Sequence, residues 1–190
     1  MITLVIVDCQ NDFITGTMTV KGAKNSVEEI KKFIKSHKQE IEKILFTVDW
    51  HTYNHCSFKR NGGLWPSHCV QYTPGACIEP KLLKYVQSMN IPYEVSEKGH
   101  ITEQYGAFDI IEFLQDELGG RYCFDSIVTA RADSDFVVCG IAGDYCVKAT
   151  IQNMLDENIR PKVFMPGIAS IDGGKAFSDF VKENKLEKIV

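Results

Sequence analysis

Apolar positions along this chain fall into two kinds of pattern. In the first they run almost unbroken: ITLVIVD (2–8), KILFTVD (43–49) and DFVVCGI (135–141). Such β-branched runs fit strands covered on both faces. PKVFMP (161–166) and the shorter YEVSEK (93–98) read as further strands. In the second kind they recur at helical spacing. SVEEIKKFIKSHKQEIEK (26–43) places Val27, Ile30, Phe33 and Ile34 on one face, with Ser26 as the expected N-cap. PKLLKYVQ (80–87) is a short helix with proline in its first turn. AFDIIEFLQDELGG (107–120) is a helix stopped by Gly119 or Gly120. YCVKATIQNMLDEN (145–158) carries Val147, Ile151, Met154 and Leu155 on one face, and GKAFSDFVKEN (174–184) forms the last helix.

Strand and helix alternate. That order predicts a three-layer α/β/α architecture with a central, mostly parallel sheet of the Rossmann-like kind. At 190 residues the chain is expected to form a single domain with a substantial core. Two stretches stand outside the alternation. Residues 50–79 are rich in Gly, Pro, His and aromatics, and a connection of that length is usually functional. RYCFDSIVTARADS (121–134) reads as an insertion or hairpin. There is no internal repeat.

Charge and cysteine usage narrow the class. With 21 basic and 25 acidic residues the net charge is −4, and no basic stripe suggests nucleic acid as a partner. The apolar opening meets Asp8 and lacks a basic leader, so it reads as a strand and not as a signal peptide. No apolar run approaches the ~20 residues of a membrane helix. The seven cysteines are odd in number and scattered, unlike a secreted disulfide framework. A reducing cytoplasm is the expected setting.

In open α/β sheets ligands bind beyond the carboxyl ends of the strands. Asp8, Asp49, Lys98 and the Gly140–Cys146 turn all fall at or just past predicted strand ends. This one rule gathers them on one rim. Cys146 would sit near the first turn of a helix, where unpaired N–H groups and the helix dipole favour a thiolate and could hold an oxyanion. Asp8 could take its proton, and Lys98 could hold Asp8 and favour the thiolate. Taken singly, each has a plainer reading: a buried thiol, a turn acid, a solvated lysine.

DWHTYNHCSF (49–58) and LWPSHC (64–69) put three of the five histidines within 18 residues of loop. Asp49 and His51, two apart, point the same way in an extended segment. With His68 they could form an open carboxylate–imidazole site suited to zinc, iron or manganese, with His55 as a fourth ligand or a neighbour of the site. The plainer reading is loop histidines satisfied by hydrogen bonds.

Taken together, VDCQNDF (7–13), DWHTYNHCSF (49–58), WPSHCVQYTPGA (65–76), EKGH (97–100) and GIAGDYCVKAT (140–150) resemble the nicotinamidase branch of the isochorismatase-like cysteine hydrolases, in order and at compatible spacing. The resemblance implies a catalytic triad of Asp8, Lys98 and Cys146. It implies one divalent metal ion, zinc foremost, on Asp49, His51 and His68. It further implies a cis peptide before Ala142, an oxyanion hole from the N–H groups of Ala142 and Cys146, and pocket aromatics at Phe13, Trp65 and Tyr105. Gly143 departs from the family's usual threonine.

The expected activity is hydrolysis of nicotinamide to nicotinate and ammonia through a thioester, in salvage toward NAD, with pyrazinamide as a further candidate substrate. The expected partner is the small-molecule substrate, without nucleic acid or membrane; a homo-oligomer stays open. One alternative is a related amidase acting on another small amide or ureide. Another is a non-catalytic protein that binds a pyridine metabolite.

Overall fold

The computed structural model describes residues 1–100 and 135–190. Tyr105, the helix expected over 107–120 and the segment 121–134 lie outside the described residues.

Among the described residues six strands form one sheet: β1 (Ile2–Val7), β2 (Ile41–Asp49), β3 (Tyr93–Lys98), β4 (Asp135–Ile141), β5 (Lys162–Ala169) and β6 (Lys188–Ile189). Their order is β3-β2-β1-β4-β5-β6, and every pairing is parallel. The chain builds outward from β1 to β3, then returns to the other side of β1 as β4. The ends of β1 and β4 therefore mark the point where strand order reverses, which is where such sheets open a crevice.

The unbroken apolar runs are explained by two cores, one on each face. Along β1, Leu4 and Ile6 enter one core while Val5 and Val7 enter the other. In β4, Val137, Cys139 and Ile141 share the first core, and Phe136 and Val138 the second. Among the described residues, the first face is covered by α2 (Ala23–Ser36) with Val27, Ile30, Phe33 and Ile34, and by α3 (Pro80–Ser88) with Leu82 and Val86. The second is covered by α4 (Lys148–Asp156) with Ile151 and Met154, and by α5 (Lys175–Glu183) with Phe177, Phe180 and Val181. A further short helix, α1 (Asn11–Ile14), follows β1.

The bounds of α2 and β5 differ most from the sequence expectation. Helix α2 starts earlier, behind Gly22 at φ 88°, and Ser26 is not its cap. Ser26 is buried inside the helix and its hydroxyl donates to the Ala23 carbonyl. The helix also ends at Ser36, because Ile41 pairs with Ile2 and is buried in the sheet core, outweighing its helical spacing. Strand β5 runs through Pro166 to Ala169. Its register shifts between Val138 and Gly140 of β4, and that irregular step accommodates the proline. The step also carries Ile168 and Ala169 to the rim beside the end of β4.

Candidate active site

Asp8 is the first residue past β1, fully buried, at φ 47°. Its backbone N–H still donates to the Thr47 carbonyl at 3.0 Å, so it continues the β1–β2 ladder by one rung. Its two carboxylate oxygens are held separately. Thr47 Oγ1 donates to Oδ1 at 2.7 Å, and Lys98 Nζ lies 2.6 Å from Oδ2. Lys98 ends β3, is 1% exposed, and also donates to Asp49 Oδ1. One buried ammonium thus bridges two buried carboxylates, and neither acid faces the other uncompensated.

Environment sets the three groups apart. Burial pushes Lys98 down, but Asp49 and Asp8 more than reverse this and hold it charged. Burial pushes Asp49 up, but Lys98 and then His51 carry it well below the usual carboxylate range. For Asp8 burial prevails over Lys98, and Asp49 adds to it, so its carboxyl is raised. Of the two acids, Asp8 is therefore the stronger base.

Cys146 arrives from the other side of the reversal point. β4 passes Gly140 at φ 125°, where a Cβ would lie 2.1 Å from the Val7 carbonyl oxygen. Only glycine lets the two strands meet this closely. The Ile141–Ala142 peptide is cis, as the resemblance implied. Gly143–Val147 then forms a π-wound turn in which the Tyr145 and Val147 N–H groups donate to the Ala142 carbonyl at 3.1 and 3.0 Å. Cys146 sits in this turn, just ahead of α4 and so near the start of that helix, as expected. Its sulfur and one oxygen each of Asp8 and Asp49 lie within 4.8 Å of one another. The expected resting thiolate is not favoured: burial raises the Cys146 thiol well above its ordinary value, and Lys98 only partly opposes this. The shift favours the neutral thiol, beside a carboxyl raised above its usual range.

The turn is clamped from behind. A Cβ on Gly143 would lie 2.3 Å from Ser170 Oγ and 2.7 Å from Ile168 Cγ2, so the threonine usual here has no room. Asp144 accepts hydrogen bonds from the Ile171 and Asp172 N–H groups, both at 2.9 Å.

The metal-type cluster lies beside Asp8, Lys98 and Cys146 and shares Asp49 with them. Asp49 ends β2, and His51 bridges to Val70 in the loop. His51 Nε2 is 3.4 Å and His68 Nε2 3.9 Å from Asp49 Oδ2, and one donor atom from each of the three residues lies within 4.8 Å of the others. The other ring nitrogens are tied back. His51 Nδ1 bonds the Gly99 carbonyl at 3.0 Å and His68 Nδ1 the Pro66 carbonyl at 2.7 Å, which orients each Nε2 toward Asp49. Burial lowers His68 despite Asp49, favouring the neutral, ligating form. One carboxylate and two oriented imidazoles are a donor set that fits a divalent transition ion. His55 is buried with its ring 4.2 Å from that of His51, and its Nδ1 is engaged by Ser57.

Phe13 is buried, with its ring 5.5 Å from that of His68. Trp65 meets Tyr145, the neighbour of Cys146, edge to face at 5.1 Å. Three residues stood unremarked in the sequence. Thr47 is two positions before Asp49 in one strand, so the two-residue period puts both on one face. Gln10 and Asp12 sit inside the VDCQNDF block. Gln10 Nε2 donates to the Asp49 and Ala76 carbonyls, and its Oε1 accepts the Asp49 N–H, all at 2.8 Å.

A thiol, a raised carboxyl and a fixed ammonium can together deliver a sulfur nucleophile and return a proton to a leaving group. The oriented imidazoles and Asp49 add a place for a cation within the same rim. Comparison with known proteins shows the family and the fold. A family model described as the isochorismatase domain matches residues 3–178. The Saccharomyces cerevisiae nicotinamidase is 28% identical over 212 residues, covering 96% of this chain and 94% of its own. The solved structure of the yeast nicotinamidase Pnc1p superposes with a TM-score of 0.82 at 23% identity, covering 100% of this chain and 99% of that one. A Pyrococcus horikoshii pyrazinamidase solved in complex with zinc gives a TM-score of 0.75 at 24% identity, over 99% and 98%.

Proposed function

The chain belongs to the isochorismatase domain family, and from that premise we propose that it hydrolyses nicotinamide to nicotinate and ammonia, with Cys146 as nucleophile. The observation that carries this reading is the convergence of the Cys146 sulfur with the Asp8 and Asp49 carboxylates within 4.8 Å, where Asp49 also anchors the imidazole cluster.

Asp8 takes the thiol proton as sulfur attacks the carboxamide carbon. The S–C bond forms, and the carbonyl electron pair moves to oxygen, where the N–H groups of Ala142 and Cys146 receive it. Each such donor is worth about 10²–10³ in rate. Collapse breaks the C–N bond, and Asp8 returns its proton to the departing ammonia. A water then attacks the thioester, again with Asp8 as base, releasing the acid and restoring the thiol. Lys98 stays charged throughout and keeps the Asp8 carboxylate aimed. Phe13 and Trp65 flank a flat ring, with Tyr105 proposed for the same wall.

A divalent ion on Asp49, His51 and His68 would supply a Lewis acid for a pyridine nitrogen. Zinc is the ion proposed, and the zinc-bound pyrazinamidase neighbour supports it. Pyrazinamide, which keeps a ring nitrogen and a carboxamide, is proposed as a second substrate. The reaction would feed NAD salvage, with the cytoplasm as its proposed compartment. Among the described residues no helix is long and apolar enough to cross a membrane.

Ammonia release from nicotinamide, measured for the wild type and for Cys146→Ala, tests the reading. Release by the wild type and none by the variant is expected; equal release by both would remove Cys146 from the mechanism.

A further inference from the structure

His68 is the ligand candidate with the least regular backbone around it. Asp49 ends a strand, and His51 follows two residues later. His68 sits in a loop, between Ser67 and a Cys69 whose φ of 45° is in the left-handed region. Side chains from another part of the chain grip both neighbours. Asp12 Oδ2 accepts the Cys69 N–H at 2.8 Å. Thr17 Oγ1 donates to the Ser67 carbonyl at 2.7 Å, and the Thr17 N–H donates to Asp12 Oδ1 at 3.1 Å. The Cys69 peptide is held on its far side too, because its carbonyl accepts the His51 N–H at 3.0 Å. A single chain of bonds thus runs from Asp12 through Cys69 to His51, with His68 bracketed at its two flanks.

The carboxylate at the centre of this bracket is itself boxed in. Asp12 is 8% exposed. A Cβ on Gly16 would lie 2.2 Å from its Oδ1, and one on Gly75 2.1 Å from its Oδ2. Both glycines leave room for the carboxylate and for nothing larger. Among the described residues the Asp12 carboxylate bonds to the Thr17 and Cys69 N–H groups and not to Cys146 or the donor cluster, so its effect passes through the loop backbone.

We propose that Asp12, with Thr17, is the positioning residue for metal binding: it fixes the His68 loop so that His68 Nε2 faces Asp49. This rests on the reading of Asp49, His51 and His68 as metal ligands. An amide at position 12 would accept only one of the two N–H groups and would turn a donor toward the other. A glutamate keeps the charge but needs a methylene that the Gly16–Gly75 box does not admit.

The test is the zinc affinity of metal-stripped protein, read by competition with a chromogenic chelator. His68→Ala sets the scale for loss of a ligand. Asp12→Asn and Asp12→Glu are expected to weaken zinc binding about 10–100-fold, the usual cost of losing a group that orients a ligand. Thr17→Val, which drops only the Ser67 bond, should weaken it by a smaller factor. Activity of Asp12→Asn should return in excess zinc, whereas a merely structural loss would not respond to metal. Wild-type zinc affinity in Asp12→Asn overturns the inference even when His68→Ala binds poorly. Unchanged affinity in His68→Ala overturns the ligand reading, and the inference falls with it. If Asp12→Asn does not fold, Thr17→Val decides by the same measure.

Discussion

Thr47 Oγ1 and Asp8 Oδ1 share a 2.7 Å hydrogen bond between two residues that are each almost wholly buried. The hydroxyl has a free rotor and could point elsewhere, but Asp8 is the acceptor given to it. Removing it leaves one oxygen of the carboxylate without its donor while Lys98 still pulls on the other.

Thr47→Val keeps the shape of the side chain and loses that donor. We expect kcat to fall about tenfold with KM nearly unchanged, in line with the cost of an unmade buried hydrogen bond to a charged group. Thr47→Ser should recover most of the loss. Steady-state kinetics decide it; a Thr47→Val enzyme with wild-type kcat would show that Lys98 alone orients Asp8.

Lys98→Met removes the cation between Asp8 and Asp49 and leaves two buried carboxylates facing each other. Truncating one member of a buried ionic cluster costs about 3–5 kcal/mol. Chemical denaturation should register that loss together with an inactive enzyme. Stability equal to the wild type would mean that one of the acids had taken up a proton.

Gly143→Ala places a methyl against Ser170 Oγ. Overpacking of this kind costs about 1–3 kcal/mol. Ser170 Oγ is buried and has no hydrogen-bond partner among the described residues, so it can be removed at little cost. Adding Ser170→Ala should therefore restore part of the stability, though Ile168 still crowds the site. Thermal unfolding of the single and double variants measures this, and a double variant no better than Gly143→Ala would refute it.

Burial raises the thiols of Cys9, Cys69, Cys139 and Cys146 above their ordinary value of 9.0. Above that value the unfolded chain gives up protons that the folded chain keeps. The folded state then binds more protons, and stability must fall as pH rises. Each thiol contributes up to about 1.4 kcal/mol per pH unit. Urea midpoints at about pH 8 and about pH 10 should fall steeply, and less steeply in Cys139→Ala. A midpoint constant over that range would contradict the burial of these groups.

Strands β1, β2 and β4 were legible because sheets covered on both faces demand unbroken apolar runs, and β4 begins and ends where its run does; the two-residue edge strand β6 carries no such run. The ends of α2 were not, since a helical period continues through Ile41 and only its pairing with Ile2 breaks it. The site was legible where chemistry-bearing residues sit at strand ends, as Asp8, Asp49 and Lys98 do. The protonation of Cys146 was not. It depends on how far the sulfur is withdrawn from water and on the charges around it, and spacing along the chain carries no record of that. Nor could the sequence say what Gly143 is for, because the atoms that exclude a side chain there come from 25 and 27 residues further on, at Ile168 and Ser170.

The Gln10 side chain reproduces, against Asp49, the pair of hydrogen bonds that one strand residue would offer another. It is the stitch between the half of the site that moves protons and the half suited to a cation. An amide neither gains nor loses charge at any pH an enzyme meets. The two halves can therefore change ionisation during turnover while the seam that aligns them stays electrically silent.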